Sequence, residues 1–163
     1  WELFQWWNNA GIKTAWLSSI QIPVTLTGST YNGNGYFIHD TIDWNTVQND
    51  DIWGNLTNTF LARKWPCEPW YHVPSNLEWV DLHAAWLWWS NWTNMSNDLK
   101  MPKAGYRFRA NSGPLSQIGI YGYYWSSSPK TAWSAYMLYL TANVNPNSYD
   151  ERASWRSVRC FKN

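Results

Sequence analysis

Apolar and polar positions are best ordered in the second half of the chain. The strongest local signal is Pro74-Ser75-Asn76-Leu77-Glu78-Trp79. Ser75 is a good helix N-cap and Glu78 stands three positions on. Hydroxyl and carboxylate can then each satisfy a free backbone N–H. Leu77, Val80, Ala84 and Leu87 follow at helical spacing. The pattern predicts a helix over about residues 76–86, ending in the polar stretch 90–98. From Met101 onward the signal changes to short strands. Residues 106–110, 135–140 and 157–161 alternate, 122–128 is rich in aromatics and serine, and Gly, Pro and Asn separate these runs. The first 64 residues are weaker. Strands are expected at 20–26 and 36–39, loops at 28–35, and one or two helical turns between 43 and 62. The order predicts an α+β fold with one main helix, short antiparallel strands and long loops. No internal repeat or disordered tail is visible.

Composition narrows the function classes. The chain has 163 residues, a size for one domain. Charged residues are 14%, with 12 Lys+Arg against 11 Asp+Glu, so no basic excess invites nucleic acid. No apolar run approaches the roughly 18 residues of a membrane span. The chain opens at Trp1 without a signal-peptide pattern, and is expected to be the C-terminal part of a longer or processed protein. One number stands out: 16 Trp against 9 Gly. A core of this size has no room for sixteen indoles, each of about 150–250 Å². The two cysteines, Cys67 and Cys160, are either a disulfide, which would place the protein outside the reducing cytosol, or two buried thiols.

Four ordered blocks resemble one family. They are Pro66-Cys67-Glu68-Pro69-Trp70-Tyr71-His72-Val73-Pro74-Ser75 with Leu77-Glu78-Trp79; Leu99-Lys100-Met101-Pro102-Lys103-Ala104-Gly105-Tyr106-Arg107; Gly122-Tyr123-Tyr124-Trp125-Ser126-Ser127-Ser128; and Ser157-Val158-Arg159-Cys160-Phe161. Together with Leu3-Phe4-Gln5-Trp6 and residues 49–58, the chain resembles the Fibrobacter succinogenes major paralogous domain over nearly its whole length. The resemblance implies a single C-type-lectin-like domain over residues 1–163, related to the sulfatase-modifying-factor fold and secreted or attached to the cell surface. The same fold serves variable proteins diversified by retroelements.

The departures from that pattern concern tryptophan. The family pattern has Gly at the positions of Trp70 and Trp155, and the same is suspected for Trp1, Trp7, Trp65, Trp92 and Trp133. In Glu68-Pro69-Trp70-Tyr71, Pro at the second turn position invites Gly at the third, where a type II turn needs positive φ. Some bacteria read UGA as glycine where another code reads tryptophan. About half the tryptophans are therefore expected to be mistranslated glycines, leaving Trp70 and Trp155 exposed or strained. Trp6, Trp53, Trp79 and Trp125 match tryptophan positions of the pattern and are expected in the core.

Candidate chemistry is sparse. His72 and the serines 126–128 are expected to be structural, since no elbow motif or His/Asp partner accompanies the serines. Asp40, Asp43, Asp50, Asp51 and Asp98 are too irregular for a calcium loop. Trp70 and Thr46 interrupt the motifs of calcium-dependent lectins. Arg107, Arg109, Arg156 and Arg159 fall on the expected strands; Arg159, alternating with Val158 and Cys160, is read as the anchor of a buried hydrogen-bond network in preference to a ligand contact. Residues 130–156 are the expected recognition loops. Tyr123, Tyr136, Tyr139, Asn143, Asn145, Asn147, Tyr149 and Asp150 supply rigid contact area and adaptable hydrogen bonds. The expectation is a non-enzymatic extracellular or cell-surface module for a protein or glycan ligand, with no catalytic residue, metal or cofactor. The alternatives are a formylglycine-generating type of enzyme, which needs a reactive thiol pair, or a purely structural surface or pilus domain.

Overall fold

The computed structural model describes residues 3–6, 42–43, 48, 50, 53, 63, 66–85, 97–110 and 114–163. The strands expected at 20–26 and 36–39, the loop 28–35, and Trp1, Trp7, Trp65 and Trp92 lie outside them. So do Asp40, Asp51 and most of the stretch 43–62. Within the described residues the protein is α+β, with one regular helix and nine short strands.

The capping box forms as its spacing requires. The Glu78 N–H donates to Ser75 Oγ at 3.2 Å, and the Ser75 N–H donates to Glu78 Oε2 at 2.7 Å. Helix α1 then runs Asn76–Ala85. The spacing of Leu77 and Ala84 does not mark its buried face, while Trp79 lies in the core as expected. Leu77 is 62% exposed and Ala84 is exposed, whereas Trp79 is fully buried and Leu82 packs beside it. Residues two apart on a helix point about 200° apart, so Leu77 and Trp79 cannot share a face. The larger apolar area of the indole decides which turns inward.

Strand β5 (Gly122–Pro129), β6 (Ser134–Leu140) and β7 (Val144–Glu151) form an antiparallel sheet in that order. The paired register sets Tyr123 opposite Tyr139, Tyr124 opposite Leu138 and Tyr136 opposite Tyr149. Strand β7 was expected as loop. Its composition, with Pro146 and three polar neighbours, hides it. The structure accommodates Pro146 because β7 is an edge strand and because the register slips there, between the pairs Met137–Ser148 and Tyr139–Asn145. A second slip lies between Trp125 and Pro129, where Ser126, Ser127 and Ser128 bulge inward and are all buried.

Two smaller sheets bring the ends of the chain together. Strand β1 (Phe4–Gln5) pairs with β8 (Trp155–Arg156), which pairs with β3 (Tyr106–Arg107), which pairs with β4 (Leu115–Ser116). Strand β2 (Tyr71–His72) pairs with β9 (Phe161–Lys162). The strand expected over 157–161 is thus replaced by two short strands and an extended connection. Ser157 in that connection bridges to β5: its N–H donates to the Tyr123 carbonyl at 3.0 Å, and its carbonyl accepts from Trp125 at 2.9 Å. Gly105, between Met101 and β3, has φ +67°, and an added Cβ would stand 2.2 Å from the Ser116 carbonyl oxygen. No other residue fits there.

The core lies on both faces of the β5–β6–β7 sheet. One side gathers Trp6, Trp53, Trp125, Met137, Val73 and Ala153. The other packs Trp79, Met101, Tyr124, Leu138 and Leu140 beneath α1. Trp6, Trp53, Trp79 and Trp125 are all fully buried, as expected of genuine tryptophans. Cys67 and Cys160 form a disulfide with Cα atoms 5.7 Å apart, closing 93 residues of chain. The bond ties the segment before β2 to the residue before β9.

Trp70 and Trp155 part company. Trp70 is 77% exposed at φ 72°, in a turn closed by the Tyr71 N–H donating to the Glu68 carbonyl at 3.0 Å. This is the type II position that asks for glycine. Trp155 contradicts the expectation. It is 1% exposed, paired with Gln5 and Arg107 in β8, and packed on Leu3, Ala104 and Leu115. A strand interior with an apolar lining accepts an indole without strain. Trp133 is exposed at the β5–β6 turn.

Candidate functional site

The expected recognition residues do not form one site, because the segment that carries them is a hairpin. Alternate residues of a strand point to opposite faces. Tyr136, Asn147 and Tyr149 belong to the α1 side. There the Asn76 Nδ2–H donates to Asn147 Oδ1 at 2.9 Å, and the Lys130 ammonium sits 3.5 Å from the Tyr149 ring centre and 5.3 Å from that of Tyr136. Tyr123, Tyr139, Asn145 and Asp150 take register positions on the opposite side. Asn143 is exposed in the turn between β6 and β7, where its carbonyl accepts from the Thr141 N–H at 2.9 Å.

The opposite side holds the more organised cluster. Tyr123 and Tyr139 stack with ring centres 4.7 Å apart and planes 15° apart. Tyr121 meets Tyr139 edge to face at 5.7 Å, and Tyr106 meets Tyr123 the same way at 5.1 Å. Phe108 extends the array from Tyr106. Offset and edge-on contacts of this kind add about 0.5–1.5 kcal/mol each beyond burial. Tyr106, Tyr121 and Tyr139 are half-buried, so each keeps part of its ring toward solvent. Phe108, Ile118 and Ile120 are exposed apolar residues of the same β3–β5 region.

Beneath the rings lies Arg156, 3% exposed. Its guanidinium is 4.3 Å from the Tyr106 ring centre and 5.0 Å from that of Tyr123, and it pairs with the Asp150 carboxylate. Nη1 donates to the Trp155 carbonyl at 3.0 Å, while Nε finds no hydrogen-bond partner among the described residues. Burial lowers the Arg156 pKa to about 9, against the favourable pull of Tyr123 and Tyr106. It remains cationic at neutral pH. Burial also raises the Tyr123 phenol, with the Tyr139 hydrogen bond adding to the effect and Arg156 opposing it. Tyr123 donates to Gln117 Oε1. Arg109 and Glu151 form a second ion pair nearby, with Nη2 donating to Oε1 at 3.0 Å. Asp150 is therefore a counterion first, and not a free recognition group.

The remaining polar candidates are structural. His72 is buried with Nε2 2.7 Å from Glu78 Oε1 and Nδ1 2.7 Å from Asn163 Oδ1. Ser128 Oγ accepts from the Asn76 N–H at 3.0 Å, and Ser126 Oγ from the Ser128 N–H at 3.1 Å. The bulge therefore holds the helix N-terminus. Burial would raise the Glu78 pKa, but Arg63, both Ser75 contacts and His72 hold it down to about 2. Asp43 and Asp50 flank the buried Arg152 at 3.6 and 2.6 Å. Among the described residues no three His, Cys, Asp or Glu side chains stand together as a metal would need. Arg159 corrects another expectation: it is exposed and, among the described residues, anchors no buried network, whereas the buried Arg156 pairs with Asp150 and donates to the Trp155 carbonyl. Sequence reasoning missed Tyr106 and Tyr121. The period of two in Tyr121-Gly122-Tyr123 was the available signal for Tyr121. The pairing that brings Tyr106 alongside is tertiary.

Comparison with protein-family models, with curated proteins and with solved structures finds no match.

Proposed function

We propose that this protein is a non-enzymatic, extracellular or cell-surface ligand-binding module of C-type-lectin-like fold. Its working surface is the tyrosine array of Tyr106, Tyr121, Tyr123 and Tyr139. The observation that carries the reading is the interlocked stack, with Tyr106, Tyr121 and Tyr139 partly open to solvent, Tyr123 buried among them and a paired cation beneath. Such rings lose little entropy on binding, because contacts with each other have already ordered them. They suit the C–H face of a sugar or an apolar side chain of a protein. The exposed Asn143 and Asn145 at the same end of the hairpin supply hydrogen bonds.

The disulfide supports a location outside the reducing cytosol. No helix among the described residues is long and apolar enough to cross a membrane. The formylglycine-generating alternative loses support because its thiol pair would have to be Cys67 and Cys160, which are bonded to each other. The test is a screen of the whole chain against arrays of glycans and of extracellular proteins, repeated with Tyr139→Ala and Tyr121→Ala. Binding that falls at least about tenfold in both variants is expected. A ligand held equally by wild type and both variants would refute the reading.

A further inference from the structure

We propose that the cleft between residues 99–102 and 157–160 is a second binding site, for a small sugar acid held by Lys100 and Arg159. It is a cavity of about 270 Å³ beside the disulfide. Phe4, Pro66, Pro102 and Val158 supply apolar walls, and Lys100, Arg159 and Ser157 supply the polar groups. Among the described residues no carboxylate lines it.

The charges here differ from those elsewhere in the molecule. Arg63, Arg109, Arg152 and Arg156 each hold a carboxylate. Arg159 and Lys100 hold none among the described residues, yet they line the same concavity. Ser157 is buried, and its hydroxyl makes no hydrogen bond among the described residues. The Ser75, Ser126, Ser128 and Ser134 hydroxyls are all engaged. Lys100 adopts φ 52°, a conformation glycine would hold without strain. Two unneutralised cations and a free hydroxyl in one cleft call for an anion, and charge-assisted hydrogen bonds are the strong kind. The apolar walls call for a body with a C–H face. The volume lies just below the roughly 300–1,000 Å³ range of pockets for larger ligands. A hexuronic acid has that size, charge and face. None of Tyr106, Tyr121, Tyr123 and Tyr139 lines the cleft, so the site stands or falls apart from the tyrosine array.

The probe is D-glucuronate, titrated into the ¹⁵N-labelled chain at fixed ionic strength, with D-glucose and sulfate in parallel. Saturable shifts confined to the N–H groups of Lys100, Met101, Lys103 and residues 157–160 are expected with glucuronate and absent with glucose. Arg159→Gln and Lys100→Gln, both surface changes, should each weaken binding at least about tenfold while leaving the rest of the spectrum in place. Tyr139→Ala should leave it unchanged. Absence of saturable shifts, or equal affinity in wild type and both variants, would overturn the site. Sulfate or glucose binding as tightly as glucuronate would overturn the sugar-acid assignment.

Discussion

Both faces of the β5–β6–β7 sheet are covered, but by different chemistry. Under α1 the cover is apolar and closed: Trp79 meets Phe161 edge to face at 4.9 Å and packs with Leu138 and Leu140, both essentially buried. On the other face, beyond the tryptophan core, the cover is a tyrosine lattice around an ion-paired arginine, left partly open. The first arrangement relies on area removed from water, which has no preferred direction. The second relies on ring geometry and charge, which fix the rings in place without hiding them. One sheet can thus carry a closed face and a partly open one by the parity of its side chains.

The comparison is broken most severely by removing what holds both faces. Cys67→Ala with Cys160→Ala should cost about 4–5 kcal/mol by the loop-entropy estimate, read as a loss in the denaturant midpoint against the oxidised chain. Next, Trp79→Ala should cost about 3–5 kcal/mol by opening a cavity under the helix. Tyr139→Ala should cost less in the same denaturation assay, since its ring is only half-buried, yet remove ligand binding. Equal stability losses for the two would erase the distinction between the faces.

On the helix side, acid acts through Glu78. Glu78 ionises at about 2 in the folded protein against 4.5 ordinarily. Its stabilisation is fully present above pH 4.5 and is lost as pH falls from there toward 2. Allowing for its partial exposure, this amounts to about 2 kcal/mol. Glu78→Gln should flatten that part of the stability–pH curve. The smallest effect is Trp70→Gly, expected to stabilise by about 1 kcal/mol through relief at positive φ. A loss of stability instead would show that the exposed indole at Trp70 contributes contacts that outweigh its strain.

What was legible in the sequence was local. Ser75 and Glu78 announced the helix start to the residue, and Pro69 announced the turn that Trp70 completes. The β5 and β6 strands were visible in their aromatic and alternating residues. The rest failed where a neighbour decides. Leu77 and Trp79 were equal claimants for the buried face until the sheet presented a pocket to one of them. Val144-Asn145-Pro146-Asn147-Ser148-Tyr149-Asp150-Glu151 carries no strand pattern of its own and is a strand because β6 offers it an edge. That single fact divided the expected site: Tyr136 and Tyr149 went to one face, Tyr123 and Tyr139 to the other. The family resemblance implied a glycine at Trp155, but Leu3 and Leu115 line its place.

The chain by itself determined its caps, its turns, its main aromatic strands and the two sulfurs available to close it, because those depend on residues within a few positions of each other or on a count of two. Tertiary structure alone decided which side chains share a face and which cations keep a partner. Arg156 found Asp150 and became part of the core, while Arg159, three residues later, found none among the described residues and lines a cleft. Sequence order does not encode that choice directly, since a counterion is selected by distance in space and by the water excluded around it.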